Sequence, residues 1–168
     1  MKRNVVRLML LGALPLAGLL AQSAPAAPNP VVGAATGSGH MVRPDGTFRS
    51  FSFSARQHAD GTVKGQLQLN SRGFDVFVHI RIDCLRIDGN TAYMSGLITH
   101  TSNPAEGEIG ELNRVIVRDN GEGKGVIDQV SRIPVNPGSV DRRTCVDANE
   151  DLFPLRDVQR GNVQVSGN

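Results

Sequence analysis

Residues 47–70, TFRSFSFSARQHADGTVKGQLQLN, decide the fold. In the first half Phe51, Phe53 and Ala55 alternate with Ser50, Ser52 and Ser54. In the second, Val63, Leu67 and Leu69 alternate with Lys64, Gln66 and Gln68. A period of two places one set on a buried face and the other in water, the pattern of a half-buried strand. Between them His58-Ala59-Asp60-Gly61 carries an Asp-Gly pair, residue types that tolerate the left-handed backbone of a tight turn. The stretch therefore predicts an antiparallel hairpin.

The same period continues outward. Phe74, Val76, Val78, Ile80 and Ile82 fall on one side of the next run, and Asp75, His79, Arg81 and Asp83 on the other. Its phase slips at Cys84-Leu85, where a bulge or a change of sheet restores register. Asp88-Gly89-Asn90 turns the chain into Thr91–Thr101, whose Ala92, Met94, Gly96 and Ile98 share a face. Further strands are predicted at 33–42, Leu112–Arg118, 126–133 and 162–165, and no segment sustains a helical period over three turns. These features predict an all-β chain: a single antiparallel β-sandwich or flattened barrel of about eight strands. Residues 134–160, with Pro134, Pro137 and Pro154, do not alternate. They read as a long irregular excursion, of the kind that is normally anchored or functional.

The N-terminus reads as a separate object. Lys2, Arg3 and Arg7 precede an uncharged apolar run over residues 8–20, and small residues follow at Ala24 and Ala26. This is the order of a secretory signal, too short to span a bilayer, so residues 1–26 are expected to be removed and 27–168 to form a single domain. Of 168 residues, 18 are Lys or Arg and 16 are Asp or Glu, for a formal charge of +2. Loss of the three basic residues of the signal brings the remainder to −1. Charges alternate along the chain without a like-signed block, which argues against nucleic acid or anionic lipid as partner. Aromatic residues make up 4%. With Phe51, Phe53, Phe74 and Phe77 committed to strands, Tyr93 and few others remain to decorate a surface.

Cys84 and Cys145 are the only cysteines. In an exported, oxidising setting they are expected to form a disulfide that ties the excursion to the central strand. A stretch rich in glycine, Asp119-Asn120-Gly121-Glu122-Gly123-Lys124-Gly125, with Asp128 beyond it, offers two readings. Asp119, Glu122 and Asp128 supply hard oxygen ligands of the type calcium takes, though without EF-hand spacing. The favoured reading is a turn in which Asp119 and Asn120 hydrogen-bond the backbone, with no cofactor. His79, Arg81 and Asp83 form a polar row on one strand face, expected to be solvated and lacking a neighbouring nucleophile. His40, His58 and His100 have no zinc spacing, and no hydrolase elbow, phosphate loop or dinucleotide fingerprint occurs.

Several short motifs share an order with a known group. Gly37-Ser38-Gly39, Phe51-Ser52-Phe53, the run from Gly61 through Lys64 to Leu67, and Val117-Arg118-Asp119-Asn120-Gly121-Glu122 occur in succession within residues 32–135. The arrangement resembles the small secreted bacterial β-domains called post-COAP domains. The resemblance implies an all-β extracytoplasmic domain and no catalytic residue. The two cysteines and the tail after Ile133 depart from the group's pattern. The expectation is a secreted or periplasmic, non-catalytic domain with a binding or structural role, its partner an unidentified extracellular ligand or protein. A small hydrolase with a non-local site and a calcium-dependent adhesion or carbohydrate module are the alternatives.

Overall fold

In the computed structural model, which describes residues 29–42, 46–71, 76–131 and 144–167, nine antiparallel strands form one curled sheet. They are β1 (Val31–Val42), β2 (Phe48–His58), β3 (Val63–Ser71), β4 (Val76–Asp88), β5 (Thr91–Thr101), β6 (Leu112–Arg118), β7 (Gln129–Ser131), β8 (Leu155–Asp157) and β9 (Arg160–Gly167). The expected signal segment and residues 134–143 of the excursion lie outside the described residues, as do Phe74 and Asp75. The strand order is β8-β7-β6-β5-β4-β3-β2-β1-β9. β8 and β9 stand at opposite edges of this order, yet only Val158 and Gln159 separate them in the chain. An extended chain crosses that gap in about 11 Å at most, so the two edges meet and the sheet curls into a flattened barrel.

The predicted hairpin is present, with Phe53 opposite Leu67 and Ala55 opposite Gly65. At its turn the Asp60 carboxylate accepts from the Thr62 amide at 2.9 Å and from its hydroxyl at 2.7 Å. The Asn29 side chain and these Thr62 bonds hold the Asp60 carboxyl down at about 2, from an ordinary 3.8. A depressed folded-state value contributes stability above the ordinary carboxylate range, lost as pH falls through about 2.

The alternation sorts the barrel's two faces. Phe51, Phe53, Leu67, Leu69, Val78, Ile80, Ile82, Met94, Val115 and Val117 fill the interior. β4 keeps its phase by two irregularities against β5, between His79 and Ile80 and between Ile82 and Cys84. The second is the bulge that the phase slip predicted. Gly96 lies beside it, where an added Cβ would sit 1.9 Å from the Arg81 carbonyl oxygen. The glycines of β1 have a related cause: Gly37 and Gly39 stand opposite Phe53 and Phe51, whose rings lie 6.2 Å apart. A Cβ on Gly39 would approach Val158 Cγ1 and the Arg160 carbonyl to 2.6 Å. Gly39→Val is therefore expected to overpack this corner and cost about 2–3 kcal/mol in urea unfolding; an unchanged midpoint would show slack that these distances deny.

The excursion is less irregular than its composition suggests. It contains β8, which makes the ninth strand, while β7 begins at Gln129, later than the predicted 126. Cys145, Ala148 and Phe153 pack with Tyr93 and Ile116 on the outside of β5 and β6, a second core separated from the first by the sheet itself. Tyr93 is only 8% exposed, so it is not a surface aromatic as its sequence position suggested. The Cys84–Cys145 disulfide joins this flap to β4 across a sequence separation of 61 residues. Arg86 adds bonds to the Cys145 and Ala148 carbonyls and stacks 3.6 Å from the centre of the Tyr93 ring.

Candidate functional site

Two places gather polar side chains from distant parts of the chain. The first is the seam where the sheet edges meet. Asp128 is buried; its Oδ1 accepts from the Asn120 amide at 2.9 Å and its Oδ2 from the Val163 amide of β9 at 2.7 Å. Asp119 repeats the arrangement, accepting from Gly121 at 2.8 Å and from Val165 of β9 at 3.0 Å. Glu122 accepts from the Asn162 side chain at 3.1 Å. The outer edge of β9 is thus held by carboxylates in place of a neighbouring strand, which satisfies amides that a buried edge would otherwise strand.

These are the three residues singled out as candidate calcium ligands. All three lie along one turn, but both oxygens of Asp119 and of Asp128 already accept backbone amides. Asn120 also bonds the turn, donating its side-chain amide to the Ile127 carbonyl at 2.7 Å. Among the described residues no group of three or more His, Cys, Asp or Glu is arranged to hold a metal ion. A polar hollow of about 500 Å³ lies beside the seam, lined in part by Glu122, Asp128, Asp157 and Arg160.

The polar row of β4 faces outward. The His79 ring lies 3.0 Å from the Thr99 hydroxyl and 3.4 Å from the Gln66 side-chain oxygen, while Arg81 and Asp83 are exposed. His100 stacks at a tilt on Phe77, 5.8 Å between ring centres. His58 bonds the Asn29 carbonyl at 3.0 Å.

The second place lies outside the barrel at the opposite end of the hairpin. Register sets Arg160 of β9 beside His40 of β1, His40 beside Ser50 of β2, and Ser50 beside Asn70 of β3. Four strands at about 4.8 Å spacing make this row about 14 Å long. The β8–β9 corner supplies its wall, because the Gln159 amide donates to the His40 carbonyl at 2.8 Å and so seats Gln159 and Arg160 against β1. Phe48, at the start of β2 and 61% exposed, supplies an apolar plane. Together with Thr47 these residues line a groove of about 690 Å³, a size that suits small ligands.

The chemistry of the groove is one of recognition. The side chains of His40, Asn70, Gln159 and Arg160 bond no other described residue, which leaves two amides, a ring and a cation to offer. The Ser50 hydroxyl donates to the Asn70 carbonyl at 3.4 Å and not to the His40 ring beside it. No carboxylate lines the groove among the described residues. The sequence reading missed this place: its members are scattered from position 40 to position 160, and no short spacing unites them. What signal there was lay in Phe48, an aromatic on the serine side of the hairpin's alternation. No family model matches the chain, and neither a curated protein nor a solved structure matches it.

Proposed function

We propose that the chain is an exported, non-catalytic binding module whose ligand rests in the groove between Phe48 and Arg160. One observation carries the reading: an exposed aromatic ring and four side chains unbonded to other described residues converge on one concavity. Preformed concave sites with an apolar plane and a few placed polar groups are how small ligands are held. The Ser50 hydroxyl, turned to a backbone carbonyl and away from His40, lacks the alignment that an activated nucleophile requires. The export-type N-terminus and the Cys84–Cys145 disulfide support an extracytoplasmic setting, as does the likeness to post-COAP domains.

Binding to glycan, peptide and lipid arrays tests the proposal, with Phe48→Ala and Ser50→Ala run in parallel. The expected result is retention of at least one ligand class, weakened about five- to tenfold by Phe48→Ala, the scale of one aromatic contact, and unaffected by Ser50→Ala. Retention indifferent to Phe48, no retention at all, or release of a processed product would overturn it.

A further inference from the structure

The ligand's chemistry follows from how charge is distributed around the barrel, and this step rests on the binding reading above. β9, β1, β2 and β3 are consecutive in the sheet and contain no Asp or Glu. All of the chain's 16 acidic residues lie elsewhere. The outward positions of these four strands carry Arg160 at one end and Arg56 paired with Lys64 at the other. The six-residue step along β1 from His40, the partner of Arg160, to Ala34, the partner of Arg56, puts the two ends about 20 Å apart. Between them the strands themselves offer amides and hydroxyls: the row next to the groove reads Asn162, Ser38, Ser52 and Gln68, with the Glu122 carboxylate on Asn162 at the β9 edge.

Such a surface suits a polymer with sparse negative charge and many hydroxyls. Three cations over about 20 Å fall far short of duplex nucleic acid, which carries about one charge per 1.7 Å. Hydroxyls both donate and accept, so they match amide and serine side chains in either orientation. An acid group meets a guanidinium in the strongest class of hydrogen bond. We infer that the face of these four strands binds an anionic polysaccharide, one ring lying on Phe48 with its acid group on Arg160 and later acid groups reaching Arg56 and Lys64.

Calorimetric titration tests this with a carboxylated oligosaccharide (oligogalacturonate), a sulfated one (a heparin fragment), a neutral one (a cello-oligosaccharide) and oligothymidylate. At least one acidic sugar is expected to bind tenfold or more tighter than the neutral sugar and the oligonucleotide. Its preference for carboxylate or sulfate identifies the acid group. Arg160→Gln is expected to weaken that binding about tenfold or more, and Arg56→Gln with Lys64→Gln to weaken long oligomers several-fold while sparing a single acidic ring. All three positions are exposed, so unchanged melting temperatures confirm that the variants fold. Equal binding of oligothymidylate would reduce the effect to charge alone and overturn the inference, as would no binding of either acidic sugar. Neutral sugar bound as tightly, with dependence on Phe48 but not on Arg160, would overturn the anionic ligand and leave the groove standing.

Discussion

Replacing Asp128 with Ala is expected to lower the melting temperature by about 10 °C or more, the largest effect of any single polar substitution in the barrel. The side chain is 7% exposed and accepts two backbone amides, one of them from Val163, itself fully buried. Truncation removes both acceptors at a place that water does not readily reach. Each stranded donor costs about 1–3 kcal/mol, so the loss comes to about 3–5 kcal/mol. Asp128→Asn preserves the shape but turns an NH₂ group towards one of the two donors, and is expected to recover only part of the loss. Asp83→Ala, on the exposed face of β4, is the control and should stay within about 0.5 kcal/mol of the parent. Thermal melts followed by circular dichroism decide the matter. A shift for Asp128→Ala no larger than that of the control would mean that the carboxylates do not hold β9 in place.

Opening the Cys84–Cys145 disulfide, by reduction or by the double substitution to Ser, is expected to act on the flap first and on the barrel second. Closing a loop of 61 residues is worth about 4 kcal/mol on the chain-entropy model. Among the described residues the flap's other anchors are the small cluster around Tyr93 and Ile116, the Cys145 amide bond to the Ser95 hydroxyl, the Arg86 bonds, Arg114 over the Phe153 ring, and the Arg118–Glu150 ion pair, whose side chains are about one-third exposed. A partly exposed pair of that kind adds little. The barrel interior forms a separate cluster that the flap does not enter. The chain has one tyrosine and no tryptophan, so Tyr93 emission reports the flap directly. Reduction is expected to make Tyr93 accessible to acrylamide while the β-sheet signal persists at room temperature, with a melting temperature lower by about 10 °C. Quenching unchanged by reduction would show that packing alone holds the flap.

The strands were legible wherever one face is buried and the other wet. Phe51, Phe53, Leu67 and Leu69 announce the central hairpin, and the broken phase at Cys84 announces the bulge. Where both faces are covered the period disappears. Thr91 through Gly96 are all buried, because the flap lies over one side of β5 and the core under the other. Tyr93 consequently looked like a surface residue. β8 has three residues, too few for any period to show, and with it the closure of the sheet was hidden. The seam carboxylates looked like turn formers or cation ligands, since nothing near Asp119 or Asp128 in the chain reveals that Val163 and Val165 come to lie beside them. Charge was hidden in another way. Signs alternate along the chain, yet the acids fall in turns, loops and the strands beyond β3, and register collects the acid-free strands on one side.

The closure through β8 and β9 also sets the order in which this molecule can assemble. β1 through β6 pair each with its successor, and such neighbours meet early because the loops between them are short. β1 must instead wait for β9, far along the chain, before its second edge is satisfied. Until then β1 presents an open edge rich in glycine, and the Phe51 and Phe53 rings that rest on Gly39 and Gly37 lack the Val158 and Val163 side of their enclosure. A pairing between the first and last strands lengthens the search for the native state. The unfinished ring is therefore the species most exposed to edge-to-edge aggregation, and the final eight-residue strand ends that exposure as it docks.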